Sequence, residues 1–344
     1  MDSDGQRVSE APLAEDVSFD GTSMRAIVQD AYGPASVLRL ASIPKPTPRA
    51  NEVLVRVHAA GLDRGIWHLM TGKPYLLRLF FGLRRPRNPV PGLDLAGTVS
   101  AVGSAVTRFR PGDEVFGFAR GSFAQYAVAR EDKLAHKPGR LSFEQAAVVA
   151  VSASTALQGL CAGGIKAGQK VLILGASGGV GSYAVQLAKA SGLEVTGVCS
   201  TSKKDLVRDL GADHVIDYTR EDFADGSRQY DVILDLAGNP SLARLRRALT
   251  PSGTAVIAGG EEGGPLTGGL DRQLRALALS PFISQRLTML TAREGHEDLE
   301  HLAGLFEAGS LAPAIDRTYP LDQVPDAMRY FDAGKVRGKI VVTV

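Results

Sequence analysis

Cysteine is scarce in this sequence, which contains only Cys161 and Cys199. Two thiols cannot form a disulfide framework, so we expect a reducing, intracellular setting. Long hydrophobic runs are missing as well, since no segment approaches the roughly 20 apolar residues of a transmembrane helix. Neither sign of charge dominates, because the formal net charge is +2. That balance predicts no nucleic-acid partner and no binding to an anionic membrane.

The first 23 residues lack the apolar core of a secretory signal. They carry six acids against the single Arg7, whereas transit peptides are rich in arginine and poor in acids. We therefore expect a disordered polar tail at residues 1–23, a fold that starts at Met24, and a cytoplasmic protein.

With 344 residues the chain is long enough for two domains, and with 44% of them hydrophobic each domain can have its own buried core. Short strands alternate with turn residues over 24–146, as at Pro111-Gly-Asp113, which predicts an antiparallel β domain. Strands alternate with helices over 147–309, which predicts a doubly wound parallel sheet. Two stretches fit neither pattern, and each is either an active-site flap or a solvated surface loop. They are Leu76–Pro89 and Gly259–Gly269.

A glycine-rich turn follows the predicted strand Lys170–Leu174 and precedes a helix predicted over Ser182–Ala190. Such a turn lets the backbone approach a pyrophosphate, and the helix directs its free N–H groups at the phosphate charge. The first glycine of the G-x-G-x-x-G spacing is missing, since Ala176 stands there, whereas Gly178 and Gly181 supply the other two. The order of strand, turn and helix favours a dinucleotide site over an ordinary tight loop.

An acid is missing at the end of the next predicted strand, Glu194–Val198. NAD sites place Asp or Glu about 20 residues after the glycines to bind the ribose hydroxyls, but the first acid here is Asp205, inside the following helix. A carboxylate would repel a 2′-phosphate, whereas hydroxyls and a lysine would bind it. We therefore expect NADPH rather than NADH, bound by Ser200, Thr201 and Lys203. The same residue types also occur where a helix is capped and its first turn is exposed to solvent, so a purely structural role stays open.

Several further motifs occur in order between residues 24 and 344. They are Gly61-Leu-Asp-Arg64 with Thr71-Gly72, Val90-Pro-Gly-Leu-Asp-Leu-Ala-Gly97, Gly112-Asp-Glu-Val-Phe-Gly117, Ser154-Thr155-Ala156, Gly175 to Gly181, Leu210-Gly-Ala-Asp-His-Val-Ile-Asp-Tyr218 and Gly338-Lys339. By these motifs the chain resembles the medium-chain dehydrogenase/reductase superfamily, in particular its zinc-independent quinone oxidoreductase-like branch. The resemblance implies an α/β protein with a GroES-like β-barrel catalytic domain at 24–146, completed by 310–344, and a Rossmann NADPH-binding domain at 147–309. It also implies a homodimer.

The resemblance assigns cofactor contacts position by position. Thr155 would approach the nicotinamide ribose, Ala258 and Gly259 would line the nicotinamide pocket, and Lys339 would face the phosphates. The pyrophosphate would be held by Ser177, Gly178, Gly179 and Val180. The adenosine 2′-phosphate end would be held by Lys203 and Tyr218. Structural alternatives remain open, with Tyr218 packed beside the sheet and Lys339 on the surface.

The chain departs from the zinc alcohol dehydrogenases of this superfamily, which bind catalytic zinc through a Cys, a His and a second Cys or acid. The matching positions are Asp63, Leu93 and Val151. Two of these side chains have no lone pair, so a three-ligand zinc site cannot form, and two cysteines cannot supply a four-cysteine structural site. The proton relay of those enzymes is also interrupted, because Gly65 replaces its hydroxyl although His68 stands at the histidine position.

A quinone or an α,β-unsaturated carbonyl accepts hydride without a metal, because its π-system carries the incoming charge to oxygen. The protein need only align the nicotinamide with the acceptor and supply a proton or hydrogen bond. We expect Tyr75 to be that donor, with Asp63 and His68 as second choices, although each also suits a structural role. The sequence thus predicts a metal-free, NADPH-dependent reductase acting on a small-molecule quinone or enone. Two alternatives remain, a non-catalytic NADPH-binding sensor or interaction protein, and an alcohol dehydrogenase-like oxidoreductase.

Overall fold

The computed structural model describes residues 22–238, 240–260 and 263–344. Most of the expected tail at residues 1–23 therefore lies outside the described residues. Its last residue, Ser23, belongs to the first strand. Among the described residues, no helix combines the length and apolar character needed to cross a bilayer.

The first part of the chain is built from short strands and three short helices. The strands are β1 (Ser23–Val28), β2 (Arg39–Pro44), β3 (Glu52–Leu62), β4 (Asp94–Val102), β5 (Glu114–Phe118), β6 (Tyr126–Arg130) and β7 (Leu134–His136). The helices are α1 (Arg64–Thr71), α2 (Arg78–Phe81) and α3 (Phe143–Ala146). The last of these starts with a capping box, in which the Ser142 and Gln145 side chains bind each other's backbone N–H groups.

The middle of the chain alternates helices with strands. The helices are α4 (Ala150–Gly163), α5 (Gly179–Ala190), α6 (Lys204–Asp209), α7 (Leu242–Ala248), α8 (Gly264–Thr267), α9 (Leu270–Leu279) and α10 (His296–Glu307). The strands are β8 (Lys170–Leu174), β9 (Glu194–Cys199), β10 (His214–Asp217), β11 (Tyr230–Asp235), β12 (Leu249–Ile257) and β13 (Arg286–Met289). The chain then continues with β14 (Ile315–Pro320), α11 (Val324–Asp332) and β15 (Lys339–Thr343).

Strands β8 to β13 form one parallel sheet in the order β10-β9-β8-β11-β12-β13. The central strand β8 carries Val171, Leu172 and Ile173 without solvent exposure, as a strand covered on both faces requires. Since β9 and β11 lie on opposite sides of β8, the winding reverses there. Such a switch point leaves a crevice at the carboxyl ends of the strands, where ligands bind. The predicted α/β fold with a Rossmann sheet is confirmed.

The second sheet follows the order β14-β15-β3-β4-β5-β7, with β6 also paired to β3. Within it β15 runs antiparallel to β3, with Ile340 opposite Leu62, so the end of the chain returns to the first sheet. One continuous apolar core includes residues of both sheets, such as Phe116 and Val341 from the second and Val171 and Ile173 from the first. The two sheets are therefore joined by packing as well as by the chain.

Candidate active site

The glycine-rich turn joins β8 to α5 at the carboxyl edge of the parallel sheet. Gly175 has a φ of 84°, a left-handed conformation that suits glycine, and Gly178 caps α5 with an extended backbone. A Cβ at Gly181 would lie 2.1 Å from the carbonyl oxygen of Gly175, so only glycine fits there. Because the first N–H groups of a helix have no acceptor within it, this turn offers free donors to an anion.

The predicted pyrophosphate residues Ser177, Gly178, Gly179 and Val180 all lie in this turn or in the first turn of α5. The Ser177 carbonyl accepts a hydrogen bond from the Gly338 N–H at 2.8 Å. A Cβ at Gly179 would lie 2.9 Å from Cδ of Lys339 and 3.2 Å from Oγ of Ser152. The start of β15 therefore packs directly against the glycine-rich turn.

Lys339 is 1% exposed, and its ammonium has no hydrogen-bond partner among the described residues. Its Nζ lies 3.8 Å from Oδ2 of Asp94, which is also buried without a hydrogen-bond partner there. The other oxygen of Asp94 accepts the Val151 N–H at 3.2 Å. Burial raises the pKa of Asp94 well above its ordinary value, and the charge of Lys339 opposes that rise. An unsatisfied ammonium below an anion-binding turn fits the pyrophosphate of a dinucleotide.

The predicted 2′-phosphate residues lie where β9 ends. Ser200 precedes a short 3₁₀ turn without capping it through its side chain, and Tyr218 is exposed. Both side chains are therefore open to a ligand at the carboxyl edge of the sheet. A surface groove of about 280 Å³ begins beside them. Its apolar walls, which suit a flat base, include Leu174, Val198, Tyr218, Phe223 and Pro240.

Thr201 is turned towards an acid that the spacing argument missed. Its hydroxyl donates to Oδ2 of Asp217 at 2.5 Å, and the hydroxyl of Thr219 donates to Oδ1 at 2.7 Å. These hydrogen bonds lower the pKa of Asp217. The carboxylate comes from β10, which places Asp217 opposite Cys199 at the end of β9. An acid thus does lie beside the residues predicted to bind the 2′-phosphate, and its carboxylate accepts hydrogen bonds from two hydroxyls.

Lys203 contacts the C-terminal part of the chain. Its ammonium donates to the carbonyls of Gly334 at 3.0 Å and Val336 at 2.7 Å. Burial lowers the pKa of Lys203. These bonds link the loop after β9 to the segment that leads into Lys339, so the two predicted cationic contacts are structurally connected.

Ala258 and Gly259 follow β12, and their N–H groups donate to the backbone carbonyl of Asp235 at 2.9 and 3.0 Å. The buried Asp235 carboxylate accepts from Arg272 at 2.6 Å. The same guanidinium donates to the carbonyls of Pro240 at 2.6 Å and Gly259 at 3.3 Å. Sequence reasoning missed Arg272, because nothing local links α9 to the ends of β11 and β12.

Thr155 lies on α4, where its hydroxyl donates to the Val151 carbonyl at 2.6 Å. The neighbouring Ser154 hydroxyl is buried without a hydrogen-bond partner among the described residues. Thr155 can therefore still accept a hydrogen bond from a ligand, whereas Ser154 has its full capacity left.

The three candidate catalytic residues lie on α1 and the turn that follows it. Asp63 caps α1 by accepting the Ile66 N–H at 3.2 Å, and its other oxygen is buried without a partner in the described chain. Nδ1 of His68 lies 2.6 Å from the Lys73 carbonyl. A carbonyl only accepts, so Nδ1 carries the proton, and burial lowers the pKa of His68. We infer a neutral imidazole at neutral pH.

Tyr75 is partly exposed, and the guanidinium of Arg78 lies 4.7 Å from its ring. The preceding Pro74 meets α8, since a Cβ at Gly268 would lie 2.5 Å from Cγ of Pro74. The two stretches that resisted sequence interpretation, Leu76–Pro89 and Gly259–Gly269, thus meet beside Tyr75.

The positions that match the zinc ligands of alcohol dehydrogenases come together around Asp94. A Cβ at Gly65 would lie 2.8 Å from Cδ1 of Leu93 and 2.9 Å from Oδ1 of Asp63. Val151 joins them through its hydrogen bond to Asp94. Over residues 22–238, 240–260 and 263–344, no group of three or more His, Cys, Asp or Glu side chains has the geometry to hold a metal ion.

Comparison with known proteins gives two family matches. A model of the alcohol dehydrogenase GroES-like domain matches residues 49–139, and a model described as zinc-binding dehydrogenase matches residues 210–342. The chain is 33% identical over 336 residues to a 2-methylene-furan-3-one reductase from Solanum lycopersicum, covering 93% of this chain and 79% of the relative. It is 33% identical over 350 residues to a chloroplastic NADPH-dependent alkenal/one oxidoreductase from Arabidopsis thaliana, covering 96% and 83%.

Among solved structures, a quinone oxidoreductase from Coxiella burnetii superimposes with a TM-score of 0.83 at 30% sequence identity. The match covers 94% of this chain and 99% of that protein. The likeness therefore extends over both sheets.

Proposed function

This chain belongs to the medium-chain dehydrogenase/reductase superfamily, in its zinc-independent quinone oxidoreductase-like branch, and we propose that it catalyses the NADPH-dependent reduction of a quinone or an α,β-unsaturated carbonyl without a metal ion. The observation that carries the proposal is the glycine-rich turn before α5 with the buried Lys339 side chain packed against it, together with Leu93 and Val151 at the positions that match zinc ligands of alcohol dehydrogenases. The similarity to the reductase from Solanum lycopersicum and to the oxidoreductases from Arabidopsis thaliana and Coxiella burnetii supports this choice of acceptors.

The cofactor fits the chain's own residues. The N-terminus of α5 and Lys339 would hold the pyrophosphate, and Ser200, Lys203 and Tyr218 would hold the 2′-phosphate. Arg272 fixes the Gly259 carbonyl at the edge of the nicotinamide pocket. When bound, NADPH supplies a hydride from its nicotinamide ring.

The remaining chemistry is the handling of negative charge on the acceptor oxygen. We assign Tyr75 as the donor, because its hydroxyl can hydrogen-bond that oxygen as charge develops on it. His68 holds the carbonyl of Lys73 and so positions the turn that carries Tyr75. Leu93 lies against Gly65 in α1 and presents an aliphatic side chain where zinc alcohol dehydrogenases carry a ligand.

The sequence-based domain division is retained in this proposal, with 24–146 and 310–344 as the catalytic domain and 147–309 as the cofactor domain. The pairing of β15 with β3 and the order of the parallel sheet support it. The homodimer and the cytoplasmic location remain predictions, which light scattering and cell fractionation would test.

The proposal is tested by mixing the purified protein with NADPH or NADH and a panel of quinones and enals, and by following loss of the reduced nicotinamide absorbance. We expect turnover with NADPH that survives dialysis against a chelator. Saturable NADPH binding without turnover on any acceptor would instead support a sensor. Activity that is lost on chelation and restored by zinc would support an alcohol dehydrogenase-like enzyme.

A further inference from the structure

The end of α2 and the segment that follows it, residues 79–87, combine exposed large apolar and cationic side chains, and we call them together the basic apolar loop. Leu79, Phe80 and Leu83 are 57%, 68% and 67% exposed. Arg84, Arg85 and Arg87 are exposed as well and make no ion pair within the described residues. Single exposed apolar residues are ordinary, but three close together mark a surface that meets another phase or molecule.

The base of the basic apolar loop is firmly held. The Tyr32 hydroxyl donates to the Gly82 carbonyl at 2.7 Å, and the backbone N–H of Arg87 donates to the Phe81 carbonyl at 2.8 Å. The guanidinium of Arg78 lies 4.5 Å from the Tyr32 ring and 4.7 Å from the Tyr75 ring. The exposed tip is thus presented by an ordered base.

The stretch of sequence that contains the loop carries charge of one sign. No Asp or Glu occurs between Asp63 and Asp94, whereas this stretch contains six basic residues. They are Arg64, Lys73, Arg78, Arg84, Arg85 and Arg87. The net charge of +2 averages over the whole chain and hides this local excess. An anionic partner is therefore favoured at this surface.

A second copy of this chain is a poor occupant, because a two-fold contact through the loop would set one arginine cluster against the same cluster. Nucleic acid accounts for the arginines but not for the exposed Leu79 and Leu83, since phosphate contacts and base stacking do not call for aliphatic side chains. An anionic bilayer accounts for the arginines and for the apolar side chains. Its headgroup phosphates bind the arginines, and the boundary between headgroups and acyl chains buries the apolar side chains.

We propose that the basic apolar loop docks on the surface of an anionic lipid bilayer, with Leu79, Phe80 and Leu83 in the headgroup–acyl boundary and the arginines on lipid phosphates. This is surface association and requires no spanning helix. It goes beyond the proposed function and does not rest on it. Because Tyr75 lies on the turn that leads into the loop, docking would bring the candidate active site next to the membrane, where apolar acceptors dissolve.

The test is cosedimentation of the full chain, without nicotinamide, with vesicles of phosphatidylcholine alone or mixed with phosphatidylglycerol. We expect binding to the anionic vesicles that weakens as salt is added. The double variant Arg84→Gln/Arg85→Gln should bind about 20-fold more weakly, since each cation near such a surface contributes about fivefold. Phe80→Ser/Leu83→Ser should bind about tenfold more weakly at every salt concentration.

Two matched controls lie away from the loop. Phe282→Ser removes an apolar side chain that is even more exposed than those of the loop, and Arg228→Gln removes an exposed arginine; both should bind like the parent chain. Thermal unfolding of every variant checks that the fold is intact.

The proposal is overturned if the parent chain does not cosediment with anionic vesicles at low salt, or if the control variants lose as much binding as the loop variants. It is also overturned if Phe80→Ser/Leu83→Ser changes the oligomeric state while vesicle binding is unaffected, because the loop would then form an interface between copies of the chain. Since no cofactor or acceptor is present, an inactive enzyme that binds vesicles contradicts the proposed function alone.

Discussion

Arg272 and Asp235 form a buried ion pair, with 2.6 Å between guanidinium and carboxylate, that fixes α9 to the carboxyl end of β11. Asp235 also receives the Gly238 N–H at 2.8 Å, while Arg272 reaches the Gly259 carbonyl. Burial raises the pKa of Asp235, and the arginine charge opposes the rise. The pair therefore links α9 to the end of β11 and, through the Gly259 carbonyl, holds the edge of the proposed nicotinamide pocket in place.

Replacement of Arg272 by Met should lower the free energy of unfolding by about 3 kcal/mol, because a buried carboxylate loses its partner. It should also raise KM for NADPH about tenfold with a smaller effect on kcat, as Gly259 loses its anchor. Denaturant titration and steady-state kinetics would measure both. Arg272→Lys should recover part of the loss, since it restores charge but not the three bonds.

The matched control for that experiment is Arg275→Met on the same helix. Among the described residues, Arg275 forms its ion pair with the exposed Asp271 one turn away, and such surface pairs contribute less than about 0.5 kcal/mol. If both variants behaved alike, the pocket-holding role of Arg272 would be wrong.

Replacement of Tyr75 by Phe should reduce kcat about 100-fold and leave the NADPH dissociation constant unchanged, because the hydroxyl acts only when charge develops on the acceptor. Stopped-flow hydride transfer and fluorescence titration would separate the two. Tyr32→Phe is the control, since it keeps the other ring beside Arg78 and loses only a loop hydrogen bond. An unchanged rate in Tyr75→Phe would remove this residue from the mechanism.

Lys203 has two possible roles, and cofactor preference separates them. If it binds the 2′-phosphate, Lys203→Met should lower kcat/KM for NADPH about tenfold and leave the value for NADH nearly unchanged. If Lys203 serves only to hold the carbonyls of Gly334 and Val336, kcat/KM should fall by the same factor for NADPH and for NADH. Lys204→Met supplies a neighbouring charge change as the control.

The Lys339–Asp94 pair should make stability depend on pH in a defined direction. Burial raises the pKa of Asp94 above its unfolded value, so the folded state holds a proton that the unfolded chain releases. Stability therefore falls as pH rises from about 4 through the folded pKa. Removing the positive charge of Lys339 raises the pKa of Asp94 further, because that charge opposes the effect of burial.

Lys339→Met should accordingly destabilise the protein by about 3 kcal/mol near pH 8 and by clearly less near pH 5. Denaturant unfolding over this pH range measures the effect. The double variant Asp94→Asn/Lys339→Met carries neither charge, so the difference in unfolding free energy between it and the parent chain should isolate the contribution of the pair to the pH dependence. A single variant whose stability rose with pH would contradict the assigned direction.

Patterns confined to neighbouring residues predicted much of this fold. The strand predicted at Lys170–Leu174 has those bounds, because an apolar run before a glycine turn is a local signal. The helix predicted from Ser182 begins instead at Gly179, since helix propensity disfavours glycines that are required here by close packing. The sequence thus predicted the turn, but it did not predict that α5 begins at Gly179 within it.

Contacts set by topology could not be predicted. Asp217 is far along the chain from Thr201, and only the pairing of β10 with β9 brings them together. Lys339 was placed near the phosphates by resemblance alone, whereas its buried carboxylate partner Asp94 went unnoticed because the two belong to different strands of one sheet. Such pairs depend on strand order, which periodicity does not reveal.

The position of β15 has a consequence for biosynthesis. All strands of the parallel sheet precede it in the chain, so a nascent polypeptide can complete that sheet and its glycine turn before Lys339 has emerged from the ribosome. Only the later closure of β15 onto β3 supplies the buried cation below the turn. A nucleotide that needs this cation binds the assembled chain and not its precursors, and thereby stabilises only molecules whose two ends have met.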